Sequence, residues 1–392
     1  MPKRILHIVG GMNRGGVETW LLHVLRHSDS SCYHHDFLVH TNQTCAYDED
    51  IRSSGSRIIP CPFTHRPLSY AREFKRLLRL HGPYDIVHSH VHFYSGFTLR
   101  LAHQVGVPVR IAHSHSDTKK LQAKAGLPRR LYLALMKKWL NTYATAGLAC
   151  SRPAAAALFG SDWQNDGRWQ VLHNGIDLNP FFIKLNTTNL RSELGIPRNA
   201  FVIGHVGRFF EPKNHAFLVD IALEIAKREP TCYFLLVGDG PLRPPIEEKF
   251  AQAGLAAKTI FAGARADVPF LMRRAMDVFL FPSLFEGLGL VLVEAQASGL
   301  PCIISDVVPR EAEVVKTLVQ RLSLGQPPSV WAEAVLEARH SSHSITKEQA
   351  LAMVEQSPFN ILSGVKSLEQ VYAGNDIIVT HGIQKKHNLE LI

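Results

Sequence analysis

Short apolar runs alternate with amphipathic segments of helical length through both halves of this 392-residue chain. In the first half the runs are RILHIV, HHDFLVH, YDIVHSH and VPVRIAHSH. In the second half they are AFVIGHVG, CYFLLVGDG, TIFAG, DVFLFPS and PCIIS. Strands that alternate with helices pair in parallel and are covered by helices. The pattern therefore predicts an α/β chain with two doubly wound, Rossmann-like domains.

The chain is too long for one ordinary core, which also favours two domains. We expect a first domain over residues 1–182 and a second over 183–355, joined through the polar stretch near 183–199. The remaining segment, 356–392, is expected to supply a helix that returns to the first domain, followed by a polar tail.

Composition excludes several classes of protein. No run of 18 apolar residues is present, so we expect no transmembrane helix. The N-terminal apolar run stops at Gly10, which is too soon for a signal peptide. The six cysteines form no C-x-x-C pair, which argues against a zinc motif and a disulfide framework. These features predict a cytoplasmic protein.

The charge is unevenly distributed. Residues 1–190 hold 23 Lys and Arg against 12 Asp and Glu, a net charge of +11, whereas the rest has a net charge of −2. This asymmetry predicts an acidic partner for the first half. We expect an anionic membrane surface, on the inner face of the membrane, and no nucleic acid.

Two segments could supply the membrane contact. In YAREFKRLLRL the basic residues follow helical spacing and form one face: Arg72, Lys75, Arg76 and Arg79. In LPRRLYLALMKKWLNTY four cations flank an apolar stripe made of Leu131, Leu135, Met136, Trp139 and Tyr143. Such helices can lie at a lipid interface. The alternative is that the stripe faces the core of the domain.

The first predicted strand is followed by a glycine-rich loop, GGMNRGGVE, residues 10–18. Glycines let the backbone approach a ligand, and the free amides of the next helix attract anions. The spacing does not fit G-x-G-x-x-G, and Gly16-Val17 stands where a P-loop requires Lys-Ser/Thr. The loop is either an anion site or a tight strand-to-helix turn.

Two cations follow the first strand of the second half, in GRFFEPKNH. Ligands of doubly wound sheets bind beyond the carboxyl ends of the strands. Arg208 and Lys213 are therefore placed to hold a diphosphate, because an arginine grips two oxygens and a lysine adds a point charge. The alternative is a solvated loop.

The stretch FPSLFEGLGLVLVEAQASGLP, residues 281–301, places Glu286 and Glu294 in an apolar neighbourhood. Gly287 and Gly289 precede a predicted helix whose free amides would form a second anion site. Eight residues separate the two carboxylates, which brings them to roughly the same side of the helix. Buried carboxylates need donors, and sugar hydroxyls would serve. Alternatively, Glu286 caps the helix and Glu294 pairs with a surface cation.

Two polar clusters remain. HSHSD holds His113 and His115, which lie two residues apart on a strand and so face one wall. Three histidines with zinc spacing are not evident. DED, residues 48–50, resembles the Asp-x-Asp of metal-dependent sugar transferases, but no apolar strand precedes it. We interpret it as solvated surface and expect no metal site.

Together these motifs resemble the retaining glycosyltransferases of family 4, which have the two-domain GT-B fold. The match runs from the glycine loop to SPFNILSGVKSLEQVY, and its most specific part is E-x7-E, from Glu286 to Glu294. VGRFFEPKNH, LLVGDGPL, VLHNGID and GARADV support it. The RIAHSH and GGVE segments are similar to those of bacterial exopolysaccharide and capsule enzymes.

The resemblance implies roles in the second half. Arg208 and Lys213 would hold the donor diphosphate. Glu294 would bind the nucleotide ribose and Glu286 the donor sugar. The amides that assist the phosphates would be those of Gly287, Leu288, Gly289 and Leu290.

The resemblance also implies roles in the first half. Gly15 and Gly16 would lie near the diphosphate or the transferred sugar. His115, or else His113, would line the donor–acceptor site. One departure from the family is Leu288, where a phenylalanine is common, and this would loosen the specificity for the donor sugar.

The family implies transfer with retention, in which the leaving diphosphate accepts the proton of the acceptor and no metal or cofactor is needed. The expected reaction moves a hexose-type sugar from a UDP or GDP donor to a glycan or lipid-linked glycan in surface polysaccharide synthesis. The alternatives are a nucleotide-sugar epimerase on the same fold and a non-catalytic protein that binds nucleotide sugar.

Overall fold

The computed structural model describes residues 1–183, 190–340 and 345–374. Within them the chain forms two sheets in which all paired strands are parallel. The first sheet contains β1 (Lys3–Val9), β2 (Tyr33–Val39), β3 (Ile58–Pro60), β4 (Ile86–Ser89), β5 (Val109–Ser114), β6 (Ala146–Ala149) and β7 (Trp169–Val171). Its strand order is β3-β2-β1-β4-β5-β6-β7.

The second sheet has the order β10-β9-β8-β11-β12-β13. Its strands are β8 (Phe201–Val206), β9 (Cys232–Val237), β10 (Thr259–Gly263), β11 (Val278–Phe281), β12 (Cys302–Ser305) and β13 (Val319–Leu322). In each sheet the strand order reverses beside the first strand of the domain, between β1 and β4 and between β8 and β11. This is the doubly wound arrangement that the sequence predicts.

Helices cover both sheets. In the first domain they are α1 (Gly16–His27), α2 (Asp48–Ser53), α3 (Pro67–His81), α4 (Ser95–Gln104), α5 (Lys119–Ala123), α6 (Leu127–Tyr143), α7 (Arg152–Phe159) and α8 (Asn179–Phe182). Those that follow are α9 (Leu190–Glu193), α10 (His215–Arg228), α11 (Arg243–Gln252), α12 (Val268–Arg274), α13 (Leu290–Ala297), α14 (Pro328–His340), α15 (Lys347–Glu355) and α16 (Ile361–Ala373). None of these helices combines the length and hydropathy that a membrane span requires.

Four short strands are absent from the sequence prediction. Three of them, β3, β7 and β13, lie at sheet edges and are three or four residues long, so their apolar pattern is too short to read. The fourth, β6, has the sequence AGLA, which lacks β-branched residues. Gly147 stands in it because any side chain there would collide with the rings of Trp169 and Phe159.

The last helix, α16, packs on the first domain. Its Tyr372 hydroxyl lies 2.8 Å from Nδ1 of His88, and Lys3 donates to the Tyr372 carbonyl oxygen over 2.8 Å. Ile361, Leu368 and Tyr372 of the helix belong to the same core cluster as strand β1. The predicted polar tail after residue 374 and the central part of the predicted linker, 184–189, lie outside the described residues.

The two domains meet where the carboxyl ends of their strands face each other. The Ser151 hydroxyl donates to the carbonyl oxygen of Gly287 over 2.5 Å, and the Arg14 guanidinium donates to the carbonyl oxygen of Ala264 over 2.9 Å. The buried side chain of Leu288 belongs to a core cluster that includes Ala154 of the first domain. The loops that the sequence singles out therefore lie along one cleft.

Candidate active site in the cleft between the domains

The loop after β8 carries the two predicted phosphate ligands. Arg208 is exposed, while the next residue, Phe209, is fully buried and fixes the loop on the domain. The loop then makes a short 3-10 turn, Glu211–Lys213, and enters α10 through Asn214, whose φ of 54° is left-handed. An asparagine tolerates this backbone conformation better than most residues.

The loop after β9, Gly-Asp-Gly, supports the Arg208 loop through the main chain. The amide of Phe209 donates to the carbonyl oxygen of Asp239 over 2.9 Å. A side chain at Gly238 would collide with the carbonyl of Gly207, and one at Gly240 would contact the backbone of Phe209 at 2.6 Å. These two glycines are thus required by the close approach of the two loops.

Lys213 and Glu286 form an ion pair across the mouth of the second sheet. Their charged atoms are 2.6 Å apart, and their side chains are 19% and 11% exposed. The Lys213 ammonium also lies 4.9 Å from the ring centre of Phe281 at the end of β11. The sequence analysis expects Lys213 to contact the donor diphosphate and Glu286 to contact the donor sugar. The structure places the two side chains in direct contact with each other.

Helix α13 begins at the cleft. Its N-cap is Gly289, with φ of 86°, a conformation that favours glycine. Leu288 is buried beneath the turn, and the first turn of the helix has backbone amides without intrahelical acceptors. Glu294 is half-buried, and burial raises its pKa to about 7. A pKa raised in this way means that the surroundings of Glu294 disfavour the carboxylate form.

The glycine loop of the first domain faces Arg208. Gly15 is the N-cap of α1 and Gly16 its first residue. A methyl group placed on Gly15 would lie 3.8 Å from Cζ of Arg208 and would collide with the carboxylate of Glu18. The loop and Arg208 therefore bound the same space from opposite sides.

Glu18 is a cleft residue that the sequence reasoning does not assign. It is half-buried, and burial raises the pKa of its carboxyl while the Arg208 charge partly offsets that shift. Its neighbour Thr19 lies 2.8 Å from the hydroxyl of Tyr47, which brings a tyrosine to the same wall. The signal available in the sequence is a carboxylate in the first turn of a helix whose N-terminus is expected to attract an anion.

The two predicted histidines occupy different positions. His113 is fully buried, whereas His115 is half-buried at the cleft. A side chain at Gly287 would overlap the carbonyl oxygen of His115, so the two loops touch through their main chains. Nε2 of His115 lies 2.9 Å from Nδ1 of His90, and Nδ1 lies 3.2 Å from the Asn174 amide nitrogen. Burial lowers the pKa of His115 to about 3, so the ring is neutral.

The DED segment requires a correction. It forms the start of α2, and Glu49 and Asp50 are exposed as expected. Asp48, however, is 3% exposed and accepts a hydrogen bond from the amide of Cys45 over 3.1 Å. The prediction of solvated surface is wrong for Asp48, because its carboxylate holds the preceding turn.

A second opening lies in the first domain, between the segments that follow β4 and β5 and the helices α5 and α6. Its volume is about 410 Å³, and aromatic and polar side chains share its lining, among them His92, Tyr94, Ser116, Thr118, Arg129 and Tyr132. His92 has a φ of 50°, which is uncommon for a residue with a side chain. One of its lining residues, Ser116, directly follows His115 in the chain.

Comparison with known proteins decides the family. The family described as "Glycosyl transferases group 1" matches residues 186–356, and the "Glycosyl transferase 4-like domain" matches residues 15–175. A protein of Bacillus subtilis (strain 168) assigned as glycosyltransferase EpsF is 42% identical over 339 residues, which cover 86% of this chain and 88% of EpsF. The chain belongs to these glycosyltransferases.

One further sequence relative and one solved structure are similar to this glycosyltransferase. The UDP-Gal:alpha-D-GlcNAc-diphosphoundecaprenol alpha-1,3-galactosyltransferase of Escherichia coli is 31% identical over 264 residues, 63% of this chain and 65% of that enzyme. The structure of HepE from Anabaena in complex with UDP and glucose has a TM-score of 0.77 and 18% identity, and it covers 94% of this chain and 99% of HepE. The second likeness confirms the GT-B fold.

Proposed function

We propose that this glycosyltransferase transfers a sugar, with retention, from a nucleoside diphosphate sugar to a glycan or lipid-linked glycan in surface polysaccharide synthesis. The observation that carries the proposal is the convergence of cations and free amides at one end of the second sheet. Arg208, Lys213 and the N-terminus of α13 come together there, opposite Gly15. Such a set stabilises the charge that develops on a leaving diphosphate.

The donor would lie between the two carboxylates of the second domain. The Lys213 ammonium is paired with Glu286, and a diphosphate would compete for that cation. Glu286 would then be free to accept a hydrogen bond from the donor sugar, and Glu294 from the ribose. UDP is the favoured nucleotide, because UDP occupies the HepE structure and the E. coli relative is named for UDP-Gal; GDP is the second choice.

The chemistry would require no general base from histidine. Both ring nitrogens of His115 have partners within 3.2 Å, and His113 is buried. The leaving diphosphate would therefore take the proton from the acceptor hydroxyl on the same face of the sugar. The role that fits His115 is to line the donor–acceptor site and hold the loop against Gly287. Metal ions would not be needed, since Arg208, Lys213 and the α13 amides supply the positive charge.

The acceptor would enter through the opening next to His92. Its mixed aromatic and polar lining suits a sugar, and Arg129 at the start of α6 offers a cation to a phosphate. The E. coli relative is named for an acceptor that is a sugar on diphosphoundecaprenol. A lipid-linked acceptor of the same kind would place its sugar in the opening and its lipid outside it.

The outer face of α6 would rest on the anionic membrane that holds such a lipid. Leu127, Leu131 and Leu135 follow one another at four-residue spacing and are 71%, 65% and 42% exposed. Arg130 and Lys138 are exposed on the same helix. Of the stripe that the sequence predicts, Met136 is buried in the core and Trp139 is half-buried, so the structure divides it between the core and the surface.

Ligand screening tests the donor assignment. Thermal unfolding would be followed with UDP, GDP, ADP and their sugars, with and without EDTA. A ligand present at 100 times its dissociation constant adds about 2.7 kcal/mol to the free energy of unfolding. We expect UDP and a UDP-sugar to raise the melting temperature equally with and without EDTA. Stabilisation that needs Mg²⁺ or Mn²⁺, or none with any nucleotide, would contradict the proposal.

An epimerase on the same fold would consume the donor without an acceptor. Incubation of the UDP-sugar alone, followed by chromatography of the nucleotide sugars, separates the two activities. We expect the donor to persist until an acceptor is added.

A further inference from the structure

Six histidines from four neighbouring strands gather beside the cleft. His7 and His35 come from β1 and β2. His88 and His113 come from β4 and β5, and His90 and His115 are the residues that directly follow those two strands. His7 and His88 are register partners on adjacent strands. The two-residue spacing of His88 and His90, and of His113 and His115, puts each pair on one face, and the sheet brings the four strands together. No role in the proposed transfer accounts for the whole group.

Three of these rings present nitrogens to one another. Nδ1 of His90 and Nε2 of His115 are 2.9 Å apart. One ring nitrogen from each of His90, His113 and His115 lies within 4.8 Å of the other two. One proton can be shared between His90 and His115, but Nε2 of His113 is buried and has no hydrogen-bond partner. Buried polar atoms without partners are rare in folded proteins. When Nδ1 of His113 donates to His88, Nε2 of His113 holds a lone pair. A group that accepts this lone pair, such as a metal ion, would satisfy the unpartnered nitrogen.

The outer nitrogens of the same three rings are held by other groups. Nε2 of His90 lies 3.1 Å from Nδ1 of His7, and Nδ1 of His113 lies 3.2 Å from Nε2 of His88. His88 in turn contacts the hydroxyl of Tyr372 over 2.8 Å. Metal-binding histidines show this arrangement, in which the second nitrogen donates to a neighbour and fixes the tautomer.

His115 completes the set through Asn174. In the present orientation the Asn174 amide nitrogen faces Nδ1 of His115, and its oxygen is buried without a partner. Turning the amide over would let that oxygen accept a hydrogen bond from Nδ1 of His115 and would leave Nε2 free to bind a metal. The same change satisfies the unpartnered oxygen.

We propose that His90, His113 and His115 form a binding site for a transition-metal ion of the zinc class. Imidazole suits zinc, copper and nickel, and each of the three rings offers one nitrogen to the same small space. Two nitrogens about 2.1 Å from one zinc in tetrahedral geometry lie about 3.4 Å apart. Closing the site around the ion therefore moves the His90 and His115 nitrogens apart by about half an ångström.

The neighbouring group of His7, His88 and His90 is the weaker choice. Its ligand atoms also lie within 4.8 Å of one another. Both nitrogens of His88 already have partners, Tyr372 on one side and His113 on the other. His7 and His88 are fully buried, whereas His90 and His115 are half-buried, so an ion reaches the outer group from the cleft.

The site goes beyond the proposed transfer reaction, which uses the cations of the second domain. Protein stripped with EDTA and dialysed free of it would be equilibrated against Zn²⁺, and bound metal would be quantified. Wild-type protein and the His65→Gln control, which removes an exposed histidine elsewhere, should bind one equivalent. His113→Gln and His115→Gln should weaken binding by roughly a hundredfold or more, beyond the 10- to 100-fold effect of removing a supporting residue.

Several results would overturn the proposal. Equal binding by the control and by both ligand variants would mean adventitious ions only. Loss of metal in His7→Gln with retention in His115→Gln would assign the inner group instead. Far-UV circular dichroism checks the fold of each variant; if His113→Gln fails to fold, the half-exposed His115→Gln still decides the outcome. A Co²⁺ spectrum of octahedral rather than tetrahedral type in the wild-type protein would also contradict a three-histidine site.

Discussion

The two walls of the cleft use different chemistry. The wall of the second domain carries full charges, with Arg208 exposed and Lys213 paired to Glu286. The wall of the first domain carries neutral imidazoles, whose pKa values are lowered by burial, and the glycines at the start of α1. The difference fits the proposed division of labour, in which the second domain would bind the charged donor and the first would shape the space where the acceptor meets it.

The largest expected effect comes from removing a cation of the second wall. Lys213→Ala should lower kcat/KM about 10- to 100-fold, because a charge-assisted contact to phosphate contributes roughly 1.5–3 kcal/mol. Steady-state kinetics would measure it, with circular dichroism to show that the fold persists. Lys227→Ala, which removes an exposed lysine paired to Glu224, is the matched control. Near-normal kcat/KM in Lys213→Ala would remove the diphosphate assignment.

The contact between the walls can be broken with one methyl group. Gly287→Ala would force the carbonyl of His115 away from the loop that carries residue 287, because the added carbon overlaps the carbonyl oxygen. Overpacking of this kind costs about 1–3 kcal/mol, and we expect a lower melting temperature together with lower kcat/KM. Gly167→Ala, where the new methyl group meets nothing within 4 Å, serves as the control. If Gly287→Ala matches it in both measurements, the two loops do not depend on each other.

The carboxyl of Glu294 predicts a dependence on pH. Its folded pKa of about 7 lies above the unfolded value of ~4.3, so its contribution to the free energy of unfolding is full below pH ~4.3 and is lost as pH rises through about 7. Over the same interval the carboxylate form becomes populated, and this is the form that would accept the ribose hydroxyls in the proposed donor complex.

Calorimetric titration with UDP would follow this change. The affinity of the wild-type protein should rise between pH ~6 and ~8 by more than that of Glu294→Gln, which cannot ionise and so corrects for the titration of the phosphate itself. Parallel pH profiles for the two proteins would show that Glu294 does not contact the nucleotide.

The smallest expected effect concerns the outer face of the first domain. Leu131→Glu should reduce co-sedimentation with anionic vesicles, because the change removes apolar contact and adds a negative charge to a surface where each Lys or Arg contributes about 1 kcal/mol. Leu68→Glu makes the same change at an exposed leucine of α3, the helix that carries the predicted basic face. Comparing the two variants shows which of the two helices contacts the membrane. Recovery that is equal on neutral and anionic lipid and insensitive to salt would exclude electrostatic docking.

The sequence predicts most of the fold but less of the site. Long apolar runs such as β8 and β9 and the start of α13 are readable because strand and helix periods are local properties. The convergence of His7, His88 and His113 is not readable, since it depends on the order in which the strands pair. Glu18 is missed for a related reason: its proximity to Arg208 exists only once the two domains face each other.

The central claim is metal-independent transfer with retention. Its most direct test is a proton NMR time course in excess EDTA, with a UDP-hexose of defined anomeric configuration and a sugar on a polyprenyl diphosphate as acceptor. We expect a glycosidic product with the same anomeric configuration as the donor, formed at the same rate with and without EDTA. An inverted product, or transfer abolished by EDTA and restored by Mg²⁺ or Mn²⁺, would contradict it.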